Sequence, residues 1–137
     1  MKKVMSCLLV GAIALFAAAM MVPAADAGLD RAALLKLADD YLAALVAHDP
    51  GKAPLAGDVK IVENVKRIKP GEGLWKTASA LPSDFKIMAA DPITQEVGGL
   101  VVMGSEQKPA QVGFRIKLVN GKIVEAEHLV VRSGMSS

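Results

Sequence analysis

The feature that most restricts the possible folds is an Asn-Gly pair, Asn120-Gly121, between two runs rich in β-branched and aromatic residues. Asn-Gly is the strongest short-range indication of a two-residue β-hairpin, because both residues accept the positive φ angles of a type I′ turn. The chain from Asp84 onward divides into four strand-like runs: 85–90, 97–103, 112–119 and 123–132. This part of the chain is therefore predicted to form an antiparallel meander of four strands.

The preceding part of the chain contains one long amphipathic segment. Leu34, Leu37, Tyr41 and Leu45 recur at the three-to-four spacing of a buried helical stripe. We expect a helix capped by Asp30 that runs to about Ala47, where 48–51 (His-Asp-Pro-Gly) ends it.

Shorter elements follow this helix. We expect a connector with one short turn over 52–58, a strand over 59–64 with a short partner at 65–68, and a brief helix or turn over 74–78 that buries Trp75. The order of elements predicts an α+β domain with the long helix packed on a curved sheet.

The first 27 residues predict a secretion signal. Lys2 and Lys3 precede an almost uncharged run over 4–22, and small residues surround the expected cleavage point after Ala27. We therefore expect a cleaved signal peptide, 1–27, and one domain, 28–137, in a secreted or periplasmic protein that is not embedded in a membrane. A retained anchor is the alternative, since the apolar run approaches the roughly 20 residues that span a bilayer.

Composition excludes several classes of function. The one cysteine, Cys7, leaves with the signal peptide, so the mature chain has neither a disulfide nor a thiolate nucleophile. The four arginines are scattered, and so no nucleic-acid partner is expected. His, Cys and Asp residues lack the spacing of metal ligands, and the glycines lack the setting of a phosphate loop. We expect no metal and no cofactor.

Several short motifs of the mature chain resemble one known superfamily. These motifs are 41–50 (YLAALVAHDP), Glu63-Asn64, 71–75 (GEGLW), Asp91-Pro92, and 125–127 (EAE) together with Arg132. They resemble an uncharacterised exported branch of the nuclear transport factor 2-like, or SnoaL-like, superfamily. The resemblance covers nearly all of 28–137.

This resemblance implies a cone-shaped, curved antiparallel β-sheet packed on a long N-terminal helix, also called cystatin-like. The superfold hosts isomerases, cyclases, dehydratases, epoxide hydrolases and proteins without catalysis. Many catalytic members carry an aspartate-histidine pair or an aspartate base deep in the cone, and neither maps onto this chain.

Carboxylates are the candidate catalytic groups. Glu125 and Glu127 lie two residues apart in the last strand-like run, which predicts that they share a face with Ile123 and Leu129. On a concave apolar face, burial and mutual repulsion raise a carboxyl pKa enough for general acid or base chemistry. A solvated face is the alternative. Glu63 is the third candidate, because it ends the first strand where the cavity of the family opens.

Four further residues are candidate ligand contacts. Asn64 could orient a polar group of a ligand beside Glu63, although a turn role is as plausible. Trp75 and Tyr41 suit the wall of an apolar pocket or a simple core. Arg115 could neutralise Glu125 or Glu127 across the hairpin, and a structural salt bridge is the favoured interpretation. We expect structural roles for the two histidines, with His128 facing away from the two glutamates.

Two hypotheses about function follow. The first is an exported domain that binds a small, mostly apolar molecule and acts on it by acid/base isomerisation, dehydration or hydrolysis through Glu63, Glu125 and Glu127. The alternative is a non-catalytic module whose sheet face pairs with itself or with another envelope protein. The resemblance implies a homodimer, and the run 97–103, apolar on both faces, supplies a surface for one.

Overall fold

The computed structural model describes residues 28–82, 84–105 and 108–132, with only the backbone of Ser105. The predicted signal peptide lies outside the described residues. The elements in chain order are α1 (Arg31–Val46), a 3-10 turn (Pro50–Lys52), β1 (Leu55–Glu63), β2 (Lys66–Ile68), α2 (Leu74–Thr77), β3 (Lys86–Asp91), β4 (Glu96–Ser105), β5 (Lys108–Val119) and β6 (Lys122–Arg132).

Helix α1 forms where the apolar periodicity predicted it. The Asp30 carboxylate accepts a hydrogen bond from the Ala33 N–H at 2.8 Å, which satisfies a free donor of the first turn. The helix buries one stripe of side chains: Leu34, Ala38, Tyr41, Leu42, Ala44 and Leu45. This stripe anchors the helix to one face of the sheet.

The six strands form one curved sheet in the order β2-β1-β6-β5-β4-β3. The four-strand meander is confirmed, and the turn at Asn120-Gly121 has the predicted positive φ angles, 50° and 71°. β1, however, pairs with β6 in parallel, so the sheet is mixed and the prediction of a purely antiparallel sheet is wrong in this detail. β1 and β6 are far apart in the chain, and no local turn determines their relative direction.

Strand β1 begins at Leu55, four residues earlier than expected, so the prediction of a connector over the whole of 52–58 is wrong. Gly57 and Asp58 interrupt the alternation of apolar and polar residues, so the first half of β1 could not be recognised in the sequence. The pairing of β1 with β6 is irregular between Leu55 and Lys60, as in a β-bulge. A bulge lets a strand continue through residues that break its alternation.

The core lies between α1 and the face of the sheet that we call the inner face. The largest fully buried side chains include Trp75, Tyr41, Leu42, Ile61 and Met103. α2 closes one end of this core and buries Leu74 and Trp75, as predicted for the brief helix. No helix in the described part of the chain has the length and apolar character needed to cross a membrane.

Candidate functional site

Three polar side chains meet inside the core where β1 and β6 pair. Glu63 and His128 are direct neighbours in that pairing, and both point to the inner face, in phase with buried Ile61 and Ala126. The Tyr41 hydroxyl, from α1, lies 2.9 Å from His128 Nε2. His128 Nδ1 lies 3.4 Å from Glu63 Oε2, longer than a standard hydrogen bond. We call Tyr41, His128 and Glu63 the polar centre.

The polar centre is shielded from solvent to different degrees along its length. The His128 side chain is fully buried, Tyr41 is 1% exposed, and the Glu63 side chain is 16% exposed. A buried imidazole among apolar side chains is unusual and requires partners, because an unpaired polar group in the core costs free energy. Glu63 therefore marks the end of the centre that water can reach.

Glu63 also holds α2 in place. Its Oε2 accepts a hydrogen bond from the Leu74 N–H at 2.7 Å, at the start of α2. Gly73 precedes this contact with φ 61° and ψ −124°, a conformation that side chains disfavour. A Cβ atom at Gly73 would lie 2.6 Å from Glu63 Oε2, so only glycine lets the carboxylate approach this closely.

The environment shifts the pKa values of two members of the polar centre. Burial raises the pKa of Tyr41, and the nearby charge of Glu63 raises it further, so the phenol stays protonated. Burial alone also raises the pKa of Glu63. The contacts with His128 and Leu74, together with the charge of Arg132, more than offset burial and leave the Glu63 pKa below its ordinary value. Glu63 is therefore an ionised acceptor and Tyr41 a neutral donor.

Trp75 adds a donor beside this centre. Its ring packs edge-on against the ring of Tyr41, with centroids 5.5 Å apart. Its Nε1–H is buried and has no hydrogen-bond partner among the described residues. Buried donors of this kind are rare in proteins. An oxygen of a bound molecule is the kind of acceptor that would satisfy it.

Glu125 and Glu127 lie elsewhere, on the outer face of the sheet away from α1. The prediction that they share a face with Ile123 is wrong, since the β5–β6 pairing shifts register between Lys117 and Leu118 and Ile123 is fully buried. Both glutamates contact Arg115, with nitrogen–oxygen distances of 2.8 Å and 3.1 Å. The hydrogen bond from Arg115 lowers the pKa of Glu125, the opposite of what an acid catalyst needs.

Arg115 is the centre of a charge cluster on this outer face. Besides the two glutamates, it contacts Glu96 Oε1 at 3.1 Å. The hydrogen bonds that Arg115 donates to Glu127 and Glu125 raise the pKa of Arg115 above its already high ordinary value. The favoured prediction for Arg115, a structural salt bridge across the hairpin, is confirmed.

Asn64 serves the turn between β1 and β2. Its amide nitrogen donates to the Val130 carbonyl at 3.1 Å, and its amide oxygen accepts from the Val130 N–H at 2.8 Å. Its φ of 45° lies in the left-handed region that asparagine tolerates. The turn role is therefore confirmed, and this clamp on β6 occupies both polar atoms of the side chain.

His128 is the residue that sequence reasoning undervalued. The prediction that it faces away from Glu125 and Glu127 is confirmed, but that same orientation turns it into the core beside Glu63. The sequence contained one indication of this position. His128 is two residues from both Ala126 and Val130, so the alternation of the strand places a titratable side chain on the same face as apolar ones. His48, the other histidine, contacts the Trp75 carbonyl oxygen through Nδ1 at 2.6 Å and so holds the other side of α2.

Comparison with known proteins identifies the fold. No protein-family profile and no curated protein matches the chain. Among solved structures, a putative ketosteroid isomerase from Kribbella flavida is similar, with a TM-score of 0.58 and 14% identity over 79% of this chain and 84% of that one.

Two proteins of unknown function are similar to the same degree. One, with a cystatin-like fold, is from Methylobium petroleophilum: its TM-score is 0.59 at 14% identity, with 80% of this chain and 82% of that one covered. The other is a nuclear transport factor 2-like protein from Burkholderia xenovorans, with a TM-score of 0.54, 12% identity, and coverage of 76% and 87%. The chain therefore has the nuclear transport factor 2-like, or cystatin-like, fold, as the sequence motifs predicted.

Proposed function

We propose that this protein is an exported domain that binds a small, mostly apolar molecule at the polar centre. The observation that carries the proposal is a fully buried His128 held between Tyr41 and Glu63, beside the unpartnered N–H of Trp75. A simple core is more stable without such groups, since each buried polar atom must be compensated. Polar groups that converge in an apolar interior are typical of ligand sites.

The chemistry of the centre indicates what the ligand must offer. Trp75 and Tyr41 supply aromatic surface, and the Trp75 N–H supplies a donor, so the ligand has an apolar body and an acceptor oxygen, as in a ketone, enone or phenol. Glu63, which its low pKa keeps ionised, is the group we propose as the general base of any acid/base step. Glu125 and Glu127 are not part of this proposal, because Arg115 holds both on the outer face.

Ligand entry requires α2 to move. The interior is filled by the side chains of α1, α2 and the sheet, among them Trp75 itself. α2 has only four residues and is held at its two sides by Glu63 and His48. A short helix with few anchors opens at lower cost than a strand of the sheet.

Trp75 provides the test, because it is the only tryptophan of the chain. We expect a probe set of small apolar ketones, enones and phenols to contain compounds that change Trp75 emission saturably and raise the midpoint of thermal unfolding. For such a compound, Trp75→Phe should weaken binding, measured by thermal shift, by about tenfold, the equivalent of one lost hydrogen bond.

The matched control is Leu129→Ala, which lies on the outer face and should leave binding unchanged. If every active probe binds Trp75→Phe as tightly as the natural chain, or if no probe changes the emission, the polar centre is not a ligand site.

A second candidate function is interaction with a protein through the outer face of the sheet. Ile87, Leu100 and Leu129 on this face are 60%, 42% and 62% exposed. The strand register aligns them in one row across β3, β4 and β6, with Gly113 of β5 between the two leucines. Contiguous exposed apolar surface of this kind is typical of protein interaction sites.

A further inference from the structure

A cationic side chain lies on β6 beyond the polar centre. Along the strand, Arg132 is in phase with His128 and Val130, so its side chain leaves the sheet on the same inner face. Its neighbour on β5, Ala110, is also buried on that face. Arg132 itself is half-buried, whereas the His128 side chain is fully buried. One face of β6 therefore carries an imidazole deep in the core and a guanidinium nearer the solvent.

The guanidinium of Arg132 has a neutral partner. Its Nη2 donates a hydrogen bond to the Thr77 hydroxyl, at the end of α2, over 2.6 Å. Within the part of the chain that the structure describes, Arg132 forms no ion pair. A partly buried charge normally has a partner of opposite charge, because its burial costs free energy. An arginine carries five N–H donors in a planar fork that fits a carboxylate, and most of these donors are left for a ligand.

Arg132 is close enough to the polar centre to act together with it. Burial opposes the lowered pKa of Glu63, and the contacts with His128 and Leu74 and the charge of Arg132 outweigh it. The guanidinium therefore lies within electrostatic range of the member of the centre that water can reach. From His128 to Arg132 the strand rises through four residues, roughly 13 Å. An aromatic ring with a short acid chain, together with the arginine side chain, spans this distance.

The negative charge of Glu63 does not exclude an acidic group from Arg132. Elsewhere in this chain one guanidinium contacts three carboxylates: Arg115 lies 2.8–3.1 Å from those of Glu96, Glu125 and Glu127. One arginine can thus serve several carboxylates, because its donors point in different directions. A phosphate, with about two negative charges, is opposed more strongly by Glu63 than a carboxylate is. A single carboxylate therefore fits this position best.

We infer that Arg132 is a specificity-determining residue that binds a carboxylate of the ligand, an inference that rests on the function proposed above. The ligand is then an amphipathic acid. Its apolar body places an acceptor oxygen at the Trp75 N–H, and its carboxylate pairs with Arg132 at the solvent end. Because α2 must move when the ligand enters, Thr77 moves away from Arg132 at that step and leaves the fork open to the acid.

Matched pairs of probes test this specificity directly. Each pair consists of an aromatic keto acid or a phenolic acid and its primary amide, which has nearly the same size but no charge. The chain between ring and acid varies in length from pair to pair. Binding is measured near neutral pH by Trp75 emission and by thermal shift. In at least one pair, we expect the acid to bind about tenfold more tightly than the amide, and added salt to reduce this preference.

Two substitutions of Arg132 identify the group that recognises the acid. Arg132→Gln should abolish the preference, so that acid and amide bind alike, and Arg132→Lys should retain part of it, since lysine keeps the charge without the fork. The ratio of the two affinities cancels any effect on α2, because such an effect acts on acid and amide equally. Urea unfolding curves verify that each variant folds.

The matched control is Arg67→Gln. Arg67 is exposed on the edge strand β2 and pairs in register with Val62, out of phase with the inner-face residue Ile61. The same substitution on the other face of the sheet should leave the preference for the acid unchanged. A loss of preference in this variant as large as in Arg132→Gln would show a general effect of net charge and would overturn the inference.

The remaining outcomes separate this inference from the proposed function. If the amide binds as tightly as the acid in every pair, Arg132 does not select a carboxylate, although the ligand site itself stands. A preference for the acid that persists in Arg132→Gln assigns its recognition to another residue. If no member of any pair and no neutral probe of the earlier set changes the Trp75 emission, the ligand site fails, and the role of Arg132 fails with it.

Discussion

At the scale of single residues, Glu63 has two structural roles. Its carboxylate contacts His128 in the core and accepts the N–H that begins α2. Gly73, with a positive φ and no Cβ, makes room for it. The sequence placed Glu63 near a cavity, but its partner His128 is 65 positions away, and no spacing rule relates the two. Their contact depends on the parallel pairing of β1 with β6, a non-local event.

The low pKa of Glu63 predicts a dependence of stability on pH. A carboxyl group with a lowered pKa in the folded state contributes stability above its unfolded value, near 4.5, and loses it as the pH falls through the folded value. Glu63→Gln should therefore lower the free energy of unfolding at neutral pH by about 1–3 kcal/mol, the cost of weakening a buried polar contact. The difference from the natural chain should shrink in acid.

Urea unfolding followed by Trp75 emission between roughly pH 3 and 8 measures this difference. The exposed Asp58→Asn is the control for loss of a surface carboxylate and should leave the free energy of unfolding at neutral pH close to that of the natural chain. A difference for Glu63→Gln that stays constant over the whole range contradicts the ionised state of Glu63.

At the scale of elements, local pattern was sufficient for α1, α2 and the meander of β3 to β6. The apolar spacing of α1 and the Asn120-Gly121 turn act within a few residues, and both elements formed as predicted. Two of the errors came from irregular strand pairing. The register shift near Lys117 changes which face Ile123 occupies, and the one near Gly57 made the start of β1 unrecognisable in the sequence. Such an irregularity changes the two-residue alternation of a strand without changing its composition.

The two hydrogen bonds between the Asn64 side chain and Val130 of β6 lead to a prediction at this scale. Asn64→Gly keeps the positive φ but removes both hydrogen bonds to Val130, so we expect unfolding to become easier by about 1–3 kcal/mol. Val65→Gly, one residue later, is the control: it relieves a strained φ and should leave the fold as stable or more so. Urea unfolding compares the two variants, and equal stability of Asn64→Gly and the natural chain would show that the clamp contributes nothing.

At the scale of the whole molecule, the sheet separates two kinds of chemistry. The inner face encloses the polar centre with α1 and α2, and the outer face carries the Arg115 charge cluster and the exposed apolar row of Ile87, Leu100 and Leu129. β6 serves both faces, because His128 points inward while Glu127 and Leu129 point outward. The two functions proposed above, ligand binding and protein interaction, therefore use opposite sides of one strand.

The polar centre carries the central claim, and the tautomer of the His128 ring tests it most directly. Because Glu63 is ionised and Tyr41 is a neutral donor, His128 should carry its proton on Nδ1 and accept at Nε2 from the Tyr41 hydroxyl. Nitrogen NMR of the His128 imidazole, with a short histidine peptide in solution as the reference, reports this state. We predict two well-separated nitrogen shifts and a slowly exchanging Nδ1–H for His128; averaged shifts like those of a free imidazole would contradict the buried centre.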